Sequence, residues 1–193
     1  MRNAEFDREK VLRCAMTAFM DKGYGKTSMQ DLKAATGLHP GSIYCAFENK
    51  RGLLLAALEQ YRLDRSIEFA AFFADERPAL MQLKAYIDDL VQQCLSCDSS
   101  QACLLTKALN EMAEQDAEVQ QIIANNLAAW QQALTQVFER AKSQGELTSG
   151  RDCEHLARYL AMGIYGLRTF AHTHPNAETL QALADQLYHD ICA

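Results

Sequence analysis

The chain has 193 residues, 49% of them hydrophobic, and a formal net charge of −6. That is enough apolar material for a packed core, and too little positive charge for a protein that coats nucleic acid over its whole surface. Seven scattered cysteines fit a reducing compartment, and the expected location is cytoplasmic.

The N-terminus MRNAEFDREK carries no apolar run, so no secretory signal is expected. No stretch approaches the roughly 18 uncharged apolar residues of a membrane span. The charge is uneven. Residues 1–52 hold nine Lys and Arg against six Asp and Glu, and the remainder ten against nineteen. A mildly basic front on an acidic body suits a local contact with phosphates.

In chain order, residues 7–22 predict a helix with Val11, Leu12, Ala15, Met16 and Phe19 as its buried stripe, closed at Gly23. Gly23, Tyr24 and Gly25 read as a turn. Thr27 to Lys50, TSMQDLKAATGLHPGSIYCAFENK, then reads as two short helices about a tight turn. Ser28 caps the first, with Asp31 completing a variant capping box. Met29, Leu32 and Ala35 give that helix an apolar side, and Gly37 ends it in a left-handed conformation. His39 stands at the next cap and Pro40 at the first helical position, where its missing N–H is no loss. Ile43 and Phe47 lie four apart and face inward, leaving Gly41, Ser42, Tyr44 and Cys45 outward. This is the layout of a helix-turn-helix, whose second helix can enter a DNA major groove.

Asn49 caps a fourth helix that runs to about Phe73, with Leu54, Leu58, Tyr61 and Ile67 along it. Lys50 and Arg51 open it, against the helix dipole, so an anion is expected there, and a DNA phosphate is the natural candidate. Beyond a break at Asp75–Pro78, helices are predicted over about 79–95, 102–113, 116–144 and 152–172, with a last one opened by Pro175. Cys97–Gln101 reads as a loop. Ile122, Ile123, Leu127, Trp130, Leu134, Val137 and Phe138 line the longest of these. No alternating strand pattern is visible. The fold is all-α, about nine helices: a helix-turn-helix head over residues 1–50, a connecting helix over 50–73, and a larger helical body over 51–193.

TS followed by an apolar helix and ATGLHPGSIYCAFENKRGLL resembles the TetR family of transcriptional regulators. The match to T-[ST]…A-G-V-x-x-G-x-[LI]-Y-x-[HY]-F-x-x-K-x-x-L falls on Thr27, Ser28, Gly37, Gly41, Ile43, Tyr44, Phe47, Lys50 and Leu53. It covers about residues 7–55; Ala46 stands where the family commonly has His or Tyr. The resemblance implies a homodimeric repressor that leaves a palindromic operator when a small-molecule effector binds, with residues 51–193 as its effector-binding and dimerisation domain. Thr27, Ser28, His39, Pro40, Gly41, Ser42, Tyr44 and Lys50 would then contact DNA, the hydroxyls and the ammonium meeting phosphates and the start of the second helix approaching base edges.

The last two helices offer an interface. Tyr159, Met162, Gly163, Gly166, Leu167 and Phe170 fall near one face, and Leu180, Leu183, Leu187 and Ile191 keep step on the other helix; two such pairs would make a four-helix bundle. The same stripes could instead be buried within one subunit. Tyr86, Leu90, Cys103, Lys107, Met112, Trp130, Phe138 and Tyr165 form a candidate effector wall, each with ordinary core as the alternative.

Cys94-x-x-Cys97 lacks a second pair, so zinc is not expected. Cys103 heads a helix whose dipole would lower its pKa, which makes thiol modification a second route to release. No metal or cofactor is expected, His172 and His174 included. An all-α enzyme and a helical protein-interaction module are the rival readings. For the enzyme, Glu111 and Glu114 are the only paired carboxylates of note, at the spacing of a solvated helix face.

Overall fold

The computed structural model describes residues 6–95, 108, 111, 112, 116–147, 150–174 and 176–192. Among them are eight helices and no strand. We number these α1 (Arg8–Lys22), α2 (Met29–Thr36), α3 (Pro40–Phe47), α4 (Lys50–Phe72), α5 (Ala79–Leu95), α6 (Ala117–Ser143), α7 (Cys153–Thr173) and α8 (Ala177–Cys192). The loop expected at Cys97–Gln101, most of the helix expected over 102–113, and Pro175 lie outside the described residues. The chain divides into two compact units, Met1–Arg65 with Asp98–Asn126, and Ser66–Cys97 with Leu127–Ala193.

In the first unit the apolar periodicity closes the core. Val11, Leu12, Ala15, Met16 and Phe19 are all buried, and α1 packs on α2, which packs on α3. Asp7 caps α1 by accepting the Lys10 N–H at 3.0 Å. Leu32 of α2, Ile43 and Phe47 of α3, and Leu53, Leu54, Ala57 and Leu58 of α4 complete this core. Two apolar expectations fail. Ala35 is exposed, because the short α2 turns only Leu32 fully inward. Ile67 is 68% exposed, in the part of α4 that belongs to the second unit.

In the second unit α5, α7 and α8 pack against one another. Ala79, Leu83, Ile87, Leu90 and Val91 of α5 interlock with Leu134, Val137 and Phe138 of α6 and with Leu156, Leu160 and Ile164 of α7. The Glu146 carboxylate accepts the N–H groups of Ala79 and Leu80, both at 2.8 Å, and so caps α5 with a negative charge at its positive end. Asp152 caps α7 by accepting the His155 N–H at 2.9 Å, and the amide oxygen of Asn176 caps α8 by accepting the Thr179 N–H at 2.8 Å. Leu180 is 1% exposed and belongs to this subunit's core, so it is not available at a surface; its periodicity points at α5 and α7.

Candidate nucleic-acid interface

The helix-turn-helix is built by local chemistry. Ser28 and Asp31 form a reciprocal box: the serine hydroxyl accepts the Asp31 N–H at 3.1 Å, and Asp31 Oδ2 accepts the Ser28 N–H at 2.8 Å and its hydroxyl at 2.7 Å. Lys22 holds the other carboxylate oxygen at 2.5 Å, and these partners keep Asp31 well below the usual carboxylate range. Gly37 takes φ 72°, which ends α2 in the left-handed region. His39 Nδ1 then accepts the Gly41 N–H at 3.2 Å as the cap of α3, with Pro40 at its first turn.

This fixes which side of α3 faces outward. Ile43 and Phe47 are buried, while Gly41, Tyr44, Cys45 and Glu48 are exposed and Ser42 is half-buried. The exposed four lie along one face at three- and four-residue steps. His39 is exposed beside them and Pro40 half-buried. Cys45 and Glu48 were readable from the same wheel as part of this face.

Thr27 is different. It is 1% exposed, and its hydroxyl donates to the Gly23 carbonyl at 2.6 Å and lies 3.3 Å from that of Ala18. It locks the α1–α2 turn and offers nothing to a phosphate. Ser28 remains exposed, with its hydroxyl engaged in the cap.

Of the two cations at the start of α4, Arg51 finds its anions within the protein. Arg51 donates to both oxygens of Asp116, at 2.5 and 2.8 Å, and to Glu118 at 2.6 Å. That guanidinium holds the Asp116 carboxyl down at about 2. Lys50 lies half-buried with Nζ 4.2 Å from the Tyr24 ring centroid; burial pushes its ammonium pKa down. Glu111, read from the sequence as a solvated face, accepts the Gly25 N–H at 2.9 Å. Lys10, Lys26 and Lys33 are exposed and, among the described residues, have no carboxylate partner. The residue pattern alone did not single these lysines out.

In the second unit, the effector candidates divide. Trp130 donates to the Tyr86 hydroxyl at 3.1 Å and meets the Tyr165 ring edge-on at 5.7 Å. Phe69, Phe72 and Phe73 surround Tyr86. Phe138 is fully buried. Leu90 lines a separate apolar cavity of about 10 Å³ with Ile87, Cys94, Ile164 and Leu180, room for about one water. Cys103 and Lys107 lie outside the described residues, and Met112 is buried in the first unit. Burial pushes the Cys94 thiol pKa up, toward the inert form. Among the described residues no cluster of His, Cys, Asp or Glu could hold a metal ion.

On the α7 and α8 face, Met162 is 61% and Leu183 43% exposed, and Gly166 is exposed with no atom within 4 Å of where a Cβ would stand. Tyr159, Leu167, Phe170 and Leu187 are half-buried. Gly163 is already used inside the subunit: a Cβ there would lie 2.4 Å from Leu187 Cδ2.

Two family models match the sequence. Residues 11–57 match the bacterial regulatory proteins of the tetR family, and residues 79–187 match a tetracyclin repressor-like C-terminal domain. The HTH-type transcriptional repressor ComR of Escherichia coli K12 is 28% identical over 181 residues, 93% of this chain and 86% of that protein. The HTH-type transcriptional regulator YezE of Bacillus subtilis is 29% identical over 189 residues, 95% of each chain. A cysteine mutant of the TetR-family regulator CifR, in complex with 26-base-pair double-strand operator DNA, superposes with a TM-score of 0.84 at 25% identity. That match covers 97% of this chain and 98% of the other.

Proposed function

Because the chain belongs to the tetR family of bacterial regulatory proteins, and is thus a DNA-binding transcriptional regulator rather than an enzyme, we propose that it is a homodimeric repressor of a palindromic operator. The exposed face of α3 carries the reading: Gly41, Tyr44 and Cys45 face outward from a helix whose start, with His39, Pro40 and Ser42, would approach base edges. Ser28 and Lys50 would assist at phosphates. Two copies of α3, roughly 34–36 Å apart, would enter successive major grooves on one face of the duplex.

The dimer would form through α7 and α8. Met162, Leu183 and Gly166 are exposed on these two helices, and Tyr159, Leu167, Phe170 and Leu187 are half-buried, so apolar area is open to a second copy. Release would follow from a small molecule at the aromatic wall of Tyr86, Trp130 and Tyr165, or from modification of a thiol such as Cys103. An effector works only by binding the released form better. Such a regulator acts in the cytoplasm, and no described helix is long and apolar enough to cross a membrane.

The test is selection of a duplex from a random-sequence library by the purified protein, followed by titration and sedimentation. A palindromic consensus, one dimer per site and steep weakening with salt are the expected results. A monomer that selects no sequence refutes the proposal.

A further inference from the structure

The head is held from outside by carboxylates far along the chain. Glu111 sits in the notch left by two glycines of the α1–α2 turn. Its Oε2 accepts the Gly25 N–H at 2.9 Å, and a Cβ on Gly23 would lie 2.1 Å from its Oε1. Asp116 and Glu118 grip Arg51 in the first turn of α4, immediately after α3. A guanidinium there opposes the helix dipole, and three carboxylate oxygens offset that cost. Ala108 and Met112 are buried in the same stretch, which keeps its carboxylates anchored. All of these residues belong to the first compact unit. The two backbone points that bracket the helix-turn-helix, the turn before α2 and the helix start after α3, are thus both fixed by side chains from residues 111–118.

We propose that Glu111 and Asp116 are positioning residues for operator reading: they touch no DNA, but set the orientation in which α3 is offered to the groove. The inference rests on the operator-binding reading above. Loosening either contact would lower sequence-specific affinity while leaving the phosphate grip intact, because base contacts demand orientation and phosphate contacts demand much less of it. Loss of fold would instead lower both together.

The experiment uses the full chain and a duplex that the wild-type protein selects from a random library, with a scrambled duplex of equal composition as reference. Asp116→Asn keeps the cap of α6, since asparagine caps as well as aspartate, and removes the charge facing Arg51. Glu111→Ala removes the acceptor for Gly25, and Glu111→Gln restores an oxygen there. Asp116→Asn and Glu111→Ala are each expected to cut the selected-to-scrambled affinity ratio by about fivefold or more, the usual scale of coupling between sites. Glu111→Gln should return to within about twofold of wild type. Arg51→Gln with Asp116→Asn should be no worse than Arg51→Gln alone, because the contact with Asp116 is lost once.

Ratios within twofold of wild type in both Glu111→Ala and Asp116→Asn overturn the inference, whatever the melting temperatures. So does a parallel fall of both affinities. A wild-type protein that selects no duplex refutes the operator reading, and this inference with it.

Discussion

Gly52→Ala tests the junction between α3 and α4 directly. A Cβ on Gly52 would stand 2.0 Å from the Phe47 carbonyl oxygen and 3.2 Å from its carbonyl carbon. Ordinary contact needs about 3.5 Å, so the overlap exceeds 1 Å by a rough estimate. The obstacle is backbone. It cannot rotate away, and the same carbonyl accepts the Asn49 N–H at 2.7 Å. Either α3 or α4 must therefore shift. Overpacking of this kind costs about 1–3 kcal/mol, and the helix preference of alanine returns about 1 kcal/mol. The net loss is up to about 2 kcal/mol, or up to about 8 °C in a chain of this size. Operator affinity should fall further than stability does, because the displaced element is the one proposed to read bases. Thermal unfolding by circular dichroism and a duplex titration measure both. A variant that melts at or above wild type and binds its operator unchanged would show that the junction has slack and refute the reasoning.

Thr27→Val removes a buried hydroxyl without changing shape. Melting should fall by the equivalent of about 1 kcal/mol, from the lost hydroxyl bond to the Gly23 carbonyl, which keeps the Thr27 N–H at 3.2 Å, with the salt dependence of operator binding unaltered; a slope reduced by about one per subunit would make Thr27 a phosphate contact after all. Lys26→Ala and Lys33→Ala should each lower selected and scrambled duplex affinity alike and flatten the log–log salt slope by about 0.9 per phosphate lost. An unchanged slope removes that lysine from the interface. Asp116 carries a folded-state pKa of about 2, below the usual 3.8, so its pairing with Arg51 stabilises above about pH 4 and is lost as pH falls toward 2. Acid unfolding curves should show a smaller loss in this window for Asp116→Asn than for wild type; superimposable curves would contradict the pairing. Gly166→Ala meets no atom within the subunit and should raise monomer stability by about 1 kcal/mol, yet weaken a dimer packed over that spot. Sedimentation with an unchanged association constant would move the interface elsewhere.

The helix boundaries of the head were legible because their signals are local. Ser28 and Asp31 bond across three residues, Gly37 needs only its own φ, and Pro40 only its own ring. The fates of Thr27 and Arg51 were not legible for the opposite reason. The carbonyls that claim the Thr27 hydroxyl come from α1 and its closing turn. The carboxylates that claim Arg51 lie 65 and 67 residues away. A misplaced cation announces that an anion exists, without saying whether protein or DNA supplies it. Periodicity has a similar blindness. It put Leu180 and Leu183 on one stripe, but helical spacing cannot tell a face turned to α5 and α7 from one turned to another subunit. Only the first of the two is buried here.

The electrostatics of the head follow from the same accounting. Nine cations against six carboxylates in the first 52 residues make a mildly basic front. Arg13 is bound to Asp64 and Glu9, Lys22 to Asp31, and Arg51 to Asp116 and Glu118; Lys50 and Arg8 lie over the rings of Tyr24 and Phe47. Much of the positive charge is therefore spent on holding helices in place. Exposed lysines such as Lys26 and Lys33 are left to attract a duplex, which makes non-specific binding weak in the salt of a cell. On the proposed reading, a head with so modest a phosphate grip would depend on base contacts from α3 to stay on its site. Those contacts would be sensitive to orientation, so small displacements at the ends of the helix-turn-helix would be enough to act as a switch.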